Sequence, residues 1–143
     1  SGVEVIDRYA AKTPEEVKEM KAKSINADYF LMSSNAITNN GILVNIDGYA
    51  NRVSFLCYGP EYVLVIAGMN KITPDIQSAI DRVRNIASPP NTMRLKKDTP
   101  CAKTGQCGDC LVEDCICCQV VVTRKSNIKN RIKVILVGED LGF

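Results

Sequence analysis

The chain has 143 residues, 45% of them hydrophobic and 24% charged, enough for one domain that buries about two thirds of the surface its unfolded form would expose. Eighteen Lys and Arg against 16 Asp and Glu leave a net charge of +2, without the clustered basic excess of a nucleic-acid binder. There is no His, which excludes a Ser-His-Asp or Cys-His relay and any His-ligated metal built from this chain alone.

The longest apolar run, Val63 to Met69, falls far short of the roughly 18 residues a membrane span requires. Ser1 to Arg8 lacks the basic and apolar blocks of a secretion signal, and no initiator Met opens the chain, so it reads as cut, processed or trimmed, as a mature secreted chain would also be. Seven Cys without a signal are read as intracellular thiols or metal ligands before disulfides.

The apolar run Val3 to Ile6 predicts a first strand. Thr13-Pro14-Glu15-Glu16 combines a capping hydroxyl, Pro at the first helical position and Glu three residues after the cap, predicting a helix from Pro14 to about Ser24. Asp28 to Met32 and Ile42 to Ile46 read as strands, with Asn39-Asn40-Gly41 as the turn before the second. Asn51 to Tyr58 is read as a short helix stopped by Gly59-Pro60 and crossing over to a strand at Tyr62 to Ala67, with Cys57 as a small core residue on its inner face.

Thr73-Pro74-Asp75 starts a helix whose stripe Ile76, Ala79, Ile80, Val83, Ile86 and Ala87 keeps to one face, and Pro89-Pro90 should end it. Strands follow at Gln119 to Thr123 and Ile132 to Val137. Doubly apolar strands alternating with helices predict a single α/β domain, Rossmann-like, with a mostly parallel sheet covered on both faces by flanking helices. An uncovered sheet edge would favour a homo-oligomer.

Periodicity fades over residues 89–118, a cysteine-rich loop too long to stay structureless unless something ties it down. Cys101, Cys107, Cys110, Cys115, Cys117 and Cys118 follow the spacing C-x5-C-x2-C-x4-C-x-C-C. The Cys107/Cys110 knuckle lets two thiolates converge, and Cys101 with Cys117, or with Cys115 in its place, completes a four-sulfur shell suited to zinc or an iron–sulfur cluster. The spacing matches neither the bacterial ferredoxin run nor a zinc ribbon, so a redox dithiol, a disulfide and inert loop thiols stay open.

Three strand ends carry groups suited to a small anionic metabolite: Ser33-Ser34-Asn35; Asn45, Asp47 and Gly48 leading to Asn51 and Arg52; and Asn70-Lys71 after Gly68. Ligands of open α/β sheets bind beyond the carboxyl ends of the strands. A helix beginning after Gly48 would add its N–H groups, with Arg52 and Lys71 as fixed cations and Asp47 as the candidate acid/base. There is no GxGxxG and no P-loop, hence no nucleotide cofactor motif.

The series ADYFLMSSNAIT at Ala27 to Thr38, GILVNIDGYANRV at Gly41 to Val53, Gly59-Pro60, GMNKI at Gly68 to Ile72, TPCAKTG at Thr99 to Gly105 and LVGEDLGF at Leu136 to Phe143 resembles the LUD-domain, or lactate-utilisation, proteins along nearly the whole chain. The resemblance implies the sugar isomerase and CoA-transferase-like superfamily fold, with its ligand site at strand carboxyl ends. It also implies a cytoplasmic part in oxidising lactate to pyruvate, as an accessory subunit beside iron–sulfur partner proteins. Family members usually carry a preceding segment with a Gly/Ser-rich loop lining the same crevice, so the pocket here is expected to be incomplete. Their recurring cysteines correspond to Cys101, Cys107, Cys110 and Cys117, while Cys118 stands where Asn is usual and Cys115 is additional. A sugar-phosphate isomerase or acyl transferase, and a non-enzymatic metal-bearing scaffold, are the competing classes.

Overall fold

The computed structural model describes residues 2–143, and the elements follow from local chemistry. Helix α1 (Pro14–Ile25) begins on the anticipated capping box, in which Thr13 Oγ1 accepts from Glu16 N–H and the Glu16 carboxylate accepts from Thr13 N–H. Strands β1 (Tyr29–Met32), β2 (Ala36–Thr38) and β3 (Leu43–Asp47) come next, and the β2–β3 turn at Asn39-Asn40-Gly41 closes with Thr38 N–H on Ile42 O and Gly41 at φ 84°. Helix α2 (Asn51–Cys57) leads to β4 (Tyr62–Gly68), a 3-10 turn at Met69–Lys71 and the short β5 (Ile72–Thr73). Helix α3 (Ile76–Arg82), a π-helical turn over Val83–Ala87 and α4 (Ser88–Arg94) run on as one helical stretch. The short α5 (Pro100–Thr104), β6 (Gln119–Thr123) and β7 (Ile132–Val137) complete the order.

These strands form two sheets. A wholly parallel three-stranded sheet has the order β1-β4-β7, and a mixed four-stranded sheet has the order β5-β2-β3-β6. Three of the five pairings are parallel (β1·β4, β4·β7, β2·β5), and β3 runs antiparallel to both β2 and β6. One core cluster joins the sheets, with Met32, Ile37, Leu43, Val63, Val65 and Ala67 packed around Leu56 of α2. A second packs Ala36, Val44 and Ile46 of the mixed sheet against Ala79, Val83 and Ala87 of the long helical stretch. Burying each large aliphatic side chain contributes about 1.5–3 kcal/mol. No helix among the described residues is long and apolar enough to cross a membrane.

The α/β class and the parallel sheet are as expected, but several details differ. Val3 to Ile6 forms no strand, and Val3 and Val5 are exposed, because no neighbouring strand offers its ladder there. Strands β2 and β5, two or three residues long, are too short to show a period. Helix α2 forms, yet it connects strands of different sheets, and its inward face is Val53 and Leu56, which turns Cys57 out to solvent. Cover on both faces fails for the parallel sheet, where Leu31 and Ile135 on the side opposite the core are 62% and 49% exposed.

Pro89-Pro90 does not end the helix. Ser88 N–H bonds back to Val83 O across the π turn, so both prolines fall in the first turn of α4, where a missing N–H costs nothing. The same wide turn rotates Ile86 out of the stripe, leaving it 58% exposed while Val83 and Ala87 stay inside. Helices α4 and α5 thus occupy the first half of the cysteine-rich segment, and residues 105–118 hold no regular element.

Candidate functional site

Beyond the carboxyl ends of β1, β3 and β4 the chain brings together Ser33, Ser34, Asn35, Asn45, Asp47, Arg52, Asn70 and Lys71. The centre is Arg52. Its Nη1 donates to Ser33 O and Asn45 Oδ1 (both 3.1 Å), and its Nη2 donates to Asn35 Oδ1 (2.6 Å) and Ile46 O (3.1 Å). Burial works against this guanidinium's charge, and Asp47, whose Oδ2 is 3.8 Å from Nε, supports it. With its donors committed to the protein, Arg52 braces the crevice.

Asp47 Oδ2 also accepts from Val53 N–H at 3.2 Å, capping α2 in place of Ala50, whose left-handed backbone (φ 57°) offers no side-chain cap. The expected use of that helix start for an anion therefore meets an occupant already there. Asn51 sits exposed at the first position of α2, and Gly48 packs beside the Ile116 backbone. Asn70 is committed too: Nδ2 donates to Gly142 O (3.1 Å) and Oδ1 accepts from Leu141 N–H (3.2 Å), folding residues 139–142 over the crevice. That crossing is close enough to require Gly68, where a Cβ would lie 2.5 Å from Glu139 O and Leu141 N.

Two groups keep unused donors. Lys71 is 6% exposed, its Nζ bonds Ser33 Oγ at 3.1 Å, and no carboxylate among the described residues pairs with it. Burial first, then the positive charges of Arg82 and Arg52, push its pKa below the usual lysine value. Asn45, fully buried, accepts through Oδ1 from Asn35 N–H (3.2 Å) and Arg52, which fixes the amide's orientation and leaves Nδ2 without a partner. A buried amide N–H without an acceptor costs about 1–3 kcal/mol. Lys71 and Asn45 thus keep donors without an acceptor at the strand ends that Arg52 and Arg82 brace, chemistry that complements a small anion.

Ser33, part of the anticipated Ser33-Ser34-Asn35 group, is the hydroxyl facing Lys71. Sequence reasoning overlooked one residue here. Arg82, 8% exposed on α3, donates from Nη1 to Asn35 O (2.8 Å) and from Nε to Asn70 O (2.9 Å), tying two strand-end loops together. Its signal was a cation beside the buried stripe Ala79-Val83. Two surface clefts lie elsewhere, one of 350 Å³ beside Pro74 and Ile76 and one of 250 Å³ beside Arg124 and Lys129.

The cysteines adjoin the same end of β3, where Cys118 N–H donates to Asp47 O at 3.1 Å. Cys101 is buried, its Sγ 3.3 Å from Thr99 Oγ1 and 3.5 Å from Thr92 Oγ1, and Cys117 Sγ lies 3.2 Å from Ser88 Oγ. Burial chiefly raises the Cys117 pKa, the Ser88 hydrogen bond works against it, and the charges of Cys115, Cys107 and Cys101 raise it further. Among the described residues no three Cys, Asp or Glu side chains gather closely enough to hold a single metal ion.

The family model that matches is that of the LUD domain, over residues 1–137. No curated protein and no solved structure matches the chain.

Proposed function

Because the chain belongs to the LUD-domain family, associated with lactate utilisation, we propose that its crevice binds a small carboxylate of the lactate and pyruvate class. The observation that carries this reading is the pair of uncommitted donors, Lys71 Nζ and Asn45 Nδ2, in a buried setting without a carboxylate for the lysine. A ligand carboxylate would supply the missing counter-charge to Lys71, with the Ser33 hydroxyl on one oxygen and the Asn45 amide as a further donor. Arg52 and Arg82 hold the loops that present these groups.

Oxidation of lactate to pyruvate releases two electrons and two protons. No residue of the crevice accepts a hydride, so the chain acts as an accessory subunit that binds and orients the carboxylate while iron–sulfur partner proteins take the electrons. An isomerase reading with Asp47 as acid/base gains less support, because that carboxylate already accepts from Val53 N–H and faces Arg52.

Thermal shift and calorimetric titration of the whole chain with lactate, pyruvate, acetate, ribose 5-phosphate and CoA test the assignment. At a pyruvate or lactate concentration of 100 Kd, stabilisation of about 2.7 kcal/mol is expected, abolished in Lys71→Met. Stabilisation by ribose phosphate or CoA alone, or an unchanged response in Lys71→Met, would overturn it.

A further inference from the structure

The near balance of charge over the whole chain conceals a segregation. Between Asp114 and Glu139 lie five cations, Arg124, Lys125, Lys129, Arg131 and Lys133, and no carboxylate, which leaves 13 cations against 16 acids elsewhere. Arg131 is buried on the carbonyls of Phe55, Leu56 and Pro60. Arg124, Lys125 and Lys129 are exposed in the β6–β7 loop, and no carboxylate among the described residues pairs with them. They rim the cleft of 250 Å³, whose apolar wall is Leu43, Ile132 and Val134 and whose lining includes Thr123, a residue with a buried Oγ1 that has no hydrogen-bond partner. Leu43 and Ile132 open their strands and Thr123 closes β6, so the cleft lies at the end of the sheets opposite the crevice.

Beside the cleft runs an unprotected strand. Among the described residues β7 pairs with β4 alone, so its outer edge leaves ladder N–H and C=O groups free. Edges are ordinarily blunted by charge, proline or a bulge. β7 holds no proline, and its one charge, Lys133, is drawn back over the sheet, its Nζ donating to Asn130 O at 2.9 Å and standing 4.1 Å from the centre of the Tyr62 ring. Val134 and Leu136 on the core side and Ile135 on the other are all exposed. A strand laid on this edge completes the ladder and sends alternate side chains to either face, one of them into the cleft beside Val134. The cleft is smaller than the roughly 300–1,000 Å³ of small-molecule sites, which suits it to a single side chain.

We propose that β7 is the docking edge for an extended acidic segment of a partner protein, which joins the parallel sheet as a fourth strand, seats an apolar side chain in the cleft and sets its carboxylates against Arg124, Lys125 and Lys129. Charge complementarity selects this occupant. A second copy of the chain fits less well. After β7 the chain turns over the crevice, with Glu139 O accepting from Met69 N–H and Leu141 N–H donating to Asn70 Oδ1, so its acids leave the line of the strand. The assignment is independent of the carboxylate reading, since it uses the opposite end of the sheets and none of the crevice's residues.

The test is fluorescence anisotropy of the whole chain with a labelled peptide, Asp-Glu-Val-Thr-Val-Thr-Val-Glu-Asp, acidic at both ends to serve either strand direction, together with hydrogen exchange of β7. Binding that weakens with salt and slows exchange along β7 is expected. Lys129→Glu and Val134→Glu should each weaken it about tenfold or more, whereas Lys21→Glu, a charge reversal on exposed α1, should leave it unchanged. Circular dichroism establishes that each variant is folded, and Lys129→Glu, altering an exposed loop residue, covers the case in which Val134→Glu fails to fold. The same peptide N-methylated at its Val and Thr residues cannot pair as a strand and should not bind. Equal binding of that peptide would overturn strand addition in favour of ionic contact alone, and equal binding of a peptide with Lys in place of each acid would overturn the part given to charge. Absence of binding at low salt would overturn the proposal outright. A dimer by light scattering whose formation protects β7 would overturn it in favour of a second copy.

Discussion

Replacing Lys71 with Met separates the crevice's role in binding from any role in stability, and the two are expected to move in opposite directions. Met matches the length and packing of the lysine stem but removes an ammonium whose one hydrogen-bond partner is the Ser33 hydroxyl. Exchanging buried charge for apolar groups of similar volume is neutral or stabilising by about 1–4 kcal/mol. Taking about 2 kcal/mol from that range and subtracting about 1 kcal/mol for the lost hydrogen bond leaves a net gain of about 1 kcal/mol. An unfolding entropy of about 2.1 cal/mol/K per residue is about 300 cal/mol/K for this chain, so Tm should rise by about 3 °C.

The gain depends on pH with a definite sign. Burial and the neighbouring arginines lower the folded-state pKa of Lys71, so between that value and the ordinary lysine value the unfolded chain binds more protons and wild-type stability rises with pH. The advantage of Lys71→Met, full at neutral pH, should therefore shrink as pH climbs through this window. Calorimetry of both proteins from neutral to mildly alkaline pH, with and without pyruvate, reads all three effects. A variant that melts several degrees lower and still responds to pyruvate would refute the reasoning, since Lys71 would then be a stabilising residue with no part in binding.

Arg131→Met should cost about 3 kcal/mol, lowering Tm by about 10 °C and the urea midpoint with it, because the buried guanidinium serves the carbonyls of Phe55, Leu56 and Pro60. Gly68→Ala should dislodge residues 139–142 from Asn70, seen as faster hydrogen exchange at Leu141 with β4 protection intact. Thr13→Ala removes the α1 cap at about 1 kcal/mol, but α1 buries no residue, so exchange along α1 should speed up while the global Tm hardly moves.

What could be read directly from residues was whatever is encoded locally. The α1 start is set by Thr13, Pro14 and Glu16, and the β2–β3 turn by Asn39-Asn40-Gly41, within a few positions each. What escaped depends on partners far along the chain. Val3 to Ile6 has the composition of a strand and lacks a neighbour to pair with, whereas Ile72-Thr73 is a strand because Ile37 and Thr38 lie beside it. The π turn defeated both the proline stop and the helical stripe, since one widened turn changes which face Ile86 occupies. In the crevice the residue types were legible and their commitments were not: Arg52 and Lys71 look alike as cations, and the count of carbonyl and amide acceptors around each distinguishes a brace from an open donor.

The two ends of α2 are satisfied from very different distances. Asp47, six positions before Val53, serves the first turn, while Arg131, about 75 positions downstream, serves the last carbonyls. A seven-residue helix has negligible stability alone. Its closing half must therefore await the arrival of β7 beside β4, a contact whose loop-closure entropy places it late in assembly. Arg52 rides on this helix, so the order of the crevice is tied to the most remote pairing in the sheet. Mutations in α2 should then speed unfolding and leave the folding rate nearly unchanged.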